Sequence, residues 1–159
     1  MMNYEIIKAS LDNGEILTNL MQFYIYDFSE FIEAHVEENG RFGDYPLNDY
    51  WKEDNHLPYL VRFNGNYAGF VLVKWIKTET KSYFSIAEFF IMKKYRRTGL
   101  GKTVAKDIFR LHKGKWEVFQ MEKNEPAQLF WRNVINEYTG GRFTERVEEG
   151  KRITQEFTS

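Results

Sequence analysis

The sequence predicts a mixed α/β (α+β) domain: a mostly antiparallel central sheet of about seven strands flanked by helices, with one parallel strand–helix–strand unit. Three observations predict it. Short runs rich in β-branched and aromatic residues alternate with longer runs whose apolar residues recur every three or four positions. Two pairs of the short runs are joined by tight glycine-containing links, which make antiparallel hairpins. One short run is followed by a helix and then a further run, a connection that requires a crossover and therefore a parallel pair.

The elements follow in chain order. Asn3–Ala9 (NYEIIKA) reads as a first strand. From Asn13 to about Val36 the three-and-four spacing predicts one long or two broken amphipathic helices. The stretch EENGRFGDYPLNDYWKEDN, rich in Gly, Asn and Asp, reads as a loop whose aromatic content includes Tyr50 and Trp51. LPYLVRF and YAGFVLVKWI, separated by Asn64, Gly65 and Asn66, form a hairpin. Tyr83–Met92 is the next strand, about Gly101 to His112 a helix, and Trp116–Met121 a strand. Pro126 opens a short helix to about Ile135, since proline suits a first-turn position. RFTERVEEGKRITQEF alternates and turns at Glu149-Gly150, a closing hairpin.

At 159 residues, 43% apolar and 18% aromatic, the chain is sized for one domain, 1–159, with a real core. The first residues lack the basic-then-apolar layout of a signal peptide, and no apolar run reaches membrane-spanning length. A cytoplasmic protein with no membrane partner is expected. There is no cysteine, which excludes disulfides and thiolate chemistry, and three scattered histidines offer no metal-ligand spacing. No metal is expected. The net charge of -1 hides an asymmetry: residues 1–60 carry -9 and residues 61–159 carry +8. Such a split is either two solvated faces or one half that meets an anion and another that meets a cation.

The candidate anion site is KKYRRTGLGKTVAKDIFR, Lys93 to Arg110. A strand, a glycine turn and a helix point free N–H groups of a helix N-terminus at an anion, and Gly99 and Gly101 let an oxygen approach the backbone. Arg96, Arg97 and Lys102 add positive charge. Gly101-Lys102-Thr103 resembles the end of a Walker A loop, but Arg96 stands where its first glycine belongs. The dinucleotide fingerprint fails as well, with Val104 in place of its third glycine.

The pattern that fits is Q/R-x-x-G-x-G/A, here Arg96-Arg97-Thr98-Gly99-Leu100-Gly101. With FFIMKKYRRTGLGKTV before and NEPAQLFWRNVI after it, the stretch from Tyr83 to about Phe143 resembles the GNAT superfamily of N-acetyltransferases. FWRNVINEYTGGRF is similar to the corresponding part of a bacterial group of predicted acetyltransferases. The resemblance implies acetyl-CoA as co-substrate, its pantetheine between splayed fourth and fifth strands. It implies backbone bonds from Phe90 and Met92, with Ile91 between them, and a pyrophosphate on the loop from Arg96 through Thr103. Asn124 falls on the family's asparagine position, either touching the pantetheine or capping the Pro126 helix. Phe130 and Trp131 complete the cofactor side. The family's proton-donating tyrosine is replaced by Trp131, whose indole cannot plausibly protonate a thiolate. Tyr138, Tyr24, Tyr26 or water is left to do so.

Acetyl transfer needs a neutral amine and hence a base. Glu88 is the candidate, a lone carboxylate that strand parity puts on one face with Phe84, Ile86, Phe90 and Met92; the alternative is a structural glutamate. The acidic first half would form the acceptor side, with Tyr24, Tyr26, Asp27 and Trp51 around a cationic amine. The expected function is N-acetyl transfer from acetyl-CoA to a primary amine of a small molecule, or second to a protein amine, without a covalent enzyme intermediate. A non-catalytic acyl-CoA-binding domain is the alternative. A nucleic-acid partner is not expected, because no RNP-like or helix-turn-helix signature appears; a homodimer is compatible with the sequence.

Overall fold

The computed structural model describes residues 2–159. Seven strands, β1 (Tyr4–Lys8), β2 (His56–Phe63), β3 (Asn66–Lys77), β4 (Ser82–Ile91), β5 (Lys115–Met121), β6 (Phe143–Glu148) and β7 (Arg152–Thr158), form one sheet in the order β1-β2-β3-β4-β5-β7-β6. All neighbours pair antiparallel except β4 and β5. Four helices, α1 (Gly14–Phe28), α2 (Asn48–Lys52), α3 (Leu100–Leu111) and α4 (Glu125–Thr139), cover it. The predicted mixed sheet with one parallel unit is therefore present.

The helices lie on opposite faces. Apolar residues of α3 and α4, among them Val104, Ile108, Phe109 and Trp131, pack against Val71, Val73, Ile86 and Trp116. Burying each such side chain is worth about 1.5–3 kcal/mol. Leu17, Leu20 and Met21 of α1, with Tyr50 of α2, cover Leu60, Phe70, Leu72 and Phe90 on the other face.

Local differences from the sequence reading have physical causes. α1 stops at Phe28 rather than continuing toward Val36, because the Ser29 hydroxyl and N–H both bond to Tyr26 O (2.6 and 3.2 Å). A last turn containing Asp27 and no basic residue also disfavours continuation against the helix dipole. The loop before β2 contains the five-residue α2. The β2–β3 turn is two residues long, Asn64 and Gly65 with φ 51° and 81°, a combination suited to the right-handed twist of a hairpin. α4 runs past Ile135 to Thr139 and ends at Gly140 with φ 64°.

Two features of β4 position everything that follows. Its pairing with β3 slips between Leu72↔Glu88 and Val73↔Ile86, leaving Ala87 as a β-bulge. The slip corrects the parity expectation: Phe84 and Ile86 belong to the α3/α4 face, while Phe90 and Met92 belong to the α1 face. Glu88 also lies on the α1 side, bonded to Tyr24. Second, β4 meets β5 at Phe84↔Trp116, and the two strands part beyond that bridge.

Candidate functional site

Where β4 and β5 separate, a cleft of about 730 Å³ opens. Phe89 and Ile91 of β4, Phe119 and Met121 of β5, and Phe130 and Trp131 of α4 line its apolar part. Hydrogen-bond direction alternates along a strand, so the ladder decides which backbone groups face the opening. Met92 N–H donates to Ala68 O at 2.7 Å, and Phe90, in register with Phe70, shares that direction toward β3. The expectation that backbone groups of Phe90 and Met92 serve a ligand is thereby corrected. Ile91 is the residue that turns its carbonyl to the open side, where Arg96 Nε donates to it at 2.8 Å. The Phe90 side chain lines the cleft, whereas Met92 packs into the α1-side core.

The loop from Arg96 to Thr103 closes one end. A short 3-10 turn, Lys93–Tyr95, precedes it, and the Thr98 hydroxyl donates to Tyr95 O at 2.6 Å. Arg97 has φ 64°, a left-handed conformation costly for a side chain of its size. Gly99 follows at φ 85° as the residue before α3, a geometry natural to glycine. Thr103 N–H makes the bond to Gly99 O (3.0 Å), so the amides of Gly101 and Lys102 stand ahead of it in the first turn. A Cβ on Gly101 would lie 3.3 Å from Phe130, which shows how closely loop and α4 approach. Arg97, Gly99, Gly101 and Lys102 line the cleft. Leu100 is buried beneath the loop, and Lys102 Nζ pairs with Glu137 at 2.8 Å.

At the opposite wall stands Glu88, which accepts a 2.8 Å hydrogen bond from the Tyr24 hydroxyl. Burial raises its carboxyl above the usual carboxylate range, and the Tyr24 hydrogen bond, the nearby Tyr45 phenol and the charge of Lys74 pull it back only in part. Burial first, then the Glu88 charge, drive the Tyr24 and Tyr45 phenols well above their ordinary values. Tyr50, 6% exposed, has a buried hydroxyl with no partner among the described residues, and burial and Glu88 raise its pKa too. A carboxyl held neutral more readily than usual, among phenols and with no ion-pair partner among the described residues, has the character of a proton acceptor.

The remaining sequence-predicted residues divide. Asp27 lines the cleft, its carboxylate on Arg96 Nη2 at 2.6 Å. Asn124 lines it as well and caps α4, Oδ1 accepting from Ala127 N–H at 3.1 Å. Three residues lie elsewhere. Tyr26 is 72% exposed, two residues and roughly 200° around α1 from Tyr24. Trp51 packs over Gly14 at the start of α1. Tyr138 stacks in the α3/α4 core and hydrogen-bonds Ser159 Oγ at 2.7 Å, about 10 Å along the helix from position 131. Glu30, one of the acids of the first half, also lines the cleft, and sequence reasoning missed Tyr45, Phe28 and Phe31. For Phe28 the signal was present: it follows Tyr24 by one turn, and its ring stacks on Tyr24 at 5.7 Å.

No three Asp, Glu or His side chains gather as metal ligands among the described residues, and no helix there is long and apolar enough to cross a membrane. Residues 20–134 match the sequence model described as the Acetyltransferase (GNAT) family. No curated protein matches. Solved structures with the same fold include the PaiA N-acetyltransferase of Thermoplasma acidophilum in complex with coenzyme A (14% identity, TM-score 0.67, covering 99% of this chain and 100% of that one). An acetyltransferase of Thermus thermophilus is similar at 12% identity, TM-score 0.68, covering 97% and 95%. An aminoglycoside acetyltransferase from a soil metagenome, in complex with trehalose, is similar at 12% identity, TM-score 0.62, covering 82% and 86%.

Proposed function

We propose that this chain, which belongs to the GNAT acetyltransferase family, transfers the acetyl group of acetyl-CoA to a primary amine of a small cationic molecule, by direct attack and without a covalent enzyme intermediate. One observation carries the reading: a carboxyl with a raised pKa, Glu88, and the first turn of α3 line the same cleft.

The residues fit a CoA-like ligand. The amides of Gly101 and Lys102, with the Arg97 side chain, offer donors and positive charge for a pyrophosphate. Ile91 and the aromatic wall of Phe89, Phe130 and Trp131 suit the apolar arm, and Asn124 stands beside it. Acetyl-CoA supplies an activated acetyl thioester. The chain must then provide an unprotonated amine and exclude water. Glu88 takes the ammonium proton, while the Tyr24 O–H fixes Oε1 and leaves the second oxygen for the amine or a bridging water. A phenol with so high a pKa is a poor acid for a thiolate, and Tyr138 stands elsewhere, so the leaving group takes its proton from water.

On the acceptor side, Glu30 and Glu88 stand with Tyr24, Phe28 and Phe31. Carboxylates beside aromatic faces favour an alkylammonium. The named activity of the soil-metagenome relative, acetylation of polycationic aminoglycosides, is in keeping with that chemistry. A second reading, acyl-CoA binding without turnover, is favoured by Trp131, 6% exposed where a proton-donating tyrosine would sit.

A thermal-shift titration with acetyl-CoA, against ATP, NAD and pyrophosphate, followed by an amine panel of polyamines, aminoglycosides and lysine peptides, tests both. Ligand at ~100 times its Kd adds about 2.7 kcal/mol, several degrees in midpoint. The expected result is a shift with acetyl-CoA and product on a polycationic amine. A shift without product on any amine supports the second reading, and no shift with acetyl-CoA overturns both.

A further inference from the structure

We infer that Asp27 is a positioning residue for the phosphate loop, acting through Arg96, and not a contact for the acceptor amine. The inference rests on the reading of that loop as the CoA site. It begins with a side chain whose charge is already committed.

The Arg96 guanidinium makes two bonds in different directions: Nε to Ile91 O at 2.8 Å and Nη2 to Asp27 Oδ2 at 2.6 Å. Its Cζ lies 5.9 Å from the centroid of the Phe90 ring, and the Arg96 backbone N–H donates to Lys93 O at 3.2 Å. A single residue thus joins the end of β4, the start of the loop and the last turn of α1. A rigid fork can hold two such acceptors at once, and a lysine ammonium on a flexible stem cannot hold the same geometry.

The next residue shows what is being held. Arg97 occupies the left-handed region at φ 64°, and a strained residue persists only where its surroundings over-determine it. The three Arg96 bonds fix the backbone immediately before that strain. Asp27 in turn stands in a helix C-terminal turn that contains no basic residue, where an acid is electrostatically misplaced without an external cation. Each group therefore corrects the other, across 69 positions of sequence. With its carboxylate on Arg96, Asp27 leaves the acceptor's positive charge to Glu30 and Glu88.

The sign of one substitution separates this role from plain electrostatics. Asp27 is an anion lining a cleft assigned to a polyanion, so by Coulomb attraction alone Asp27→Asn would tighten CoA binding. As a strut, its loss weakens binding. Calorimetric titration of CoA into the wild type, Asp27→Asn, Arg96→Lys and the double variant decides. The expected result is about three- to tenfold weaker binding for each single variant, with the double variant no worse than the poorer single one. In unliganded Asp27→Asn the amides of Arg97 to Lys102 exchange faster than in the wild type, while the unfolding midpoint changes little. Equal or tighter CoA binding by Asp27→Asn, additive effects in the double variant, or unchanged amide exchange would each overturn the strut alone. A wild type with no CoA affinity would overturn the functional reading itself.

Discussion

Two glutamates on neighbouring strands meet opposite fates. Glu88 on β4 lies on the α1 side among Tyr24, Tyr45 and Lys74, and burial raises its pKa. Glu117 on β5, only 7% exposed, is the centre of an ion cluster, with Lys81 Nζ at 2.6 Å and Arg146 Nη2 at 2.8 Å. Burial pushes Glu117 upward too, but its bonds with those two cations together outweigh it and hold its carboxyl below the usual range. Glu156, on β7, closes the cluster by pairing with the same lysine and arginine. Burial is thus common to both carboxylates, and the partner decides the outcome. A carboxylate given two cations is locked in its charged form and serves structure. One given phenols holds its proton more readily than an ordinary carboxylate and is available for chemistry.

The comparison breaks most visibly if Glu88 loses its proton site. Glu88→Gln is expected to lower kcat/KM by about 10²–10⁴-fold while leaving acetyl-CoA affinity nearly unchanged. Because the base works deprotonated, wild-type rate rises with pH through the raised Glu88 pKa, and that limb disappears in the variant. A retained limb in the pH profile would remove Glu88 from the mechanism.

Taking the cations from Glu117 asks whether it can be made to resemble Glu88. The double substitution Lys81→Ala, Arg146→Ala should cost about 1–3 kcal/mol of stability at neutral pH, below the range for a fully buried pair because both cations are partly exposed. The sign follows from linkage. Glu117 is depressed in the folded protein, so its stabilisation is present above the unfolded carboxyl pKa and is lost as pH falls through the folded one. Urea unfolding curves of wild type and variant should accordingly converge in acid and separate near neutrality.

The smallest effect sharpens the comparison. The Tyr24 hydrogen bond lowers the Glu88 pKa against the effect of burial, so Tyr24→Phe should move the alkaline-rising limb of the rate profile to higher pH. The plateau rate should fall by less than about tenfold, since the base itself remains. A limb moved to lower pH would mean that Tyr24 supports the protonated acid instead.

Much of this molecule was legible wherever its chemistry is local. The Asn64-Gly65 turn, the Asn124 cap before Pro126 and the Arg96–Gly101 loop each depend on a few adjacent residues whose types dictate backbone shape. The phase of β4 was not legible. Phe84, Ile86, Glu88, Phe90 and Met92 alternate without a break, and Phe89 and Ile91 between them are also apolar, because helices cover both faces of this strand. A slip in such a strand leaves no mark in the hydrophobic pattern. Tyr138 misled for a different reason: seven residues are two helical turns, which keeps a side chain on the same face as Trp131 but carries it about 10 Å along the axis to Ser159. Tyr45 belongs to a segment without regular structure, and only the folded chain brings it beside Glu88.

The unpaired Ala87 in β4 gives the pairing at that point an unusual weight. Were Ala87 paired like its neighbours, the strand would run in plain alternation, and whichever half kept its partners, the other would turn over. Either Glu88 would enter the oily layer beneath α3 and α4, or Phe84 and Ile86 would leave it. In the descent of such a chain, loss of the Ala87 codon is a tolerated step, since it would join Ile86 to Glu88 opposite Val73 and Leu72, which are already adjacent, whereas drawing Ala87 into the ladder moves the acid from one side of the protein to the other, or empties part of the core.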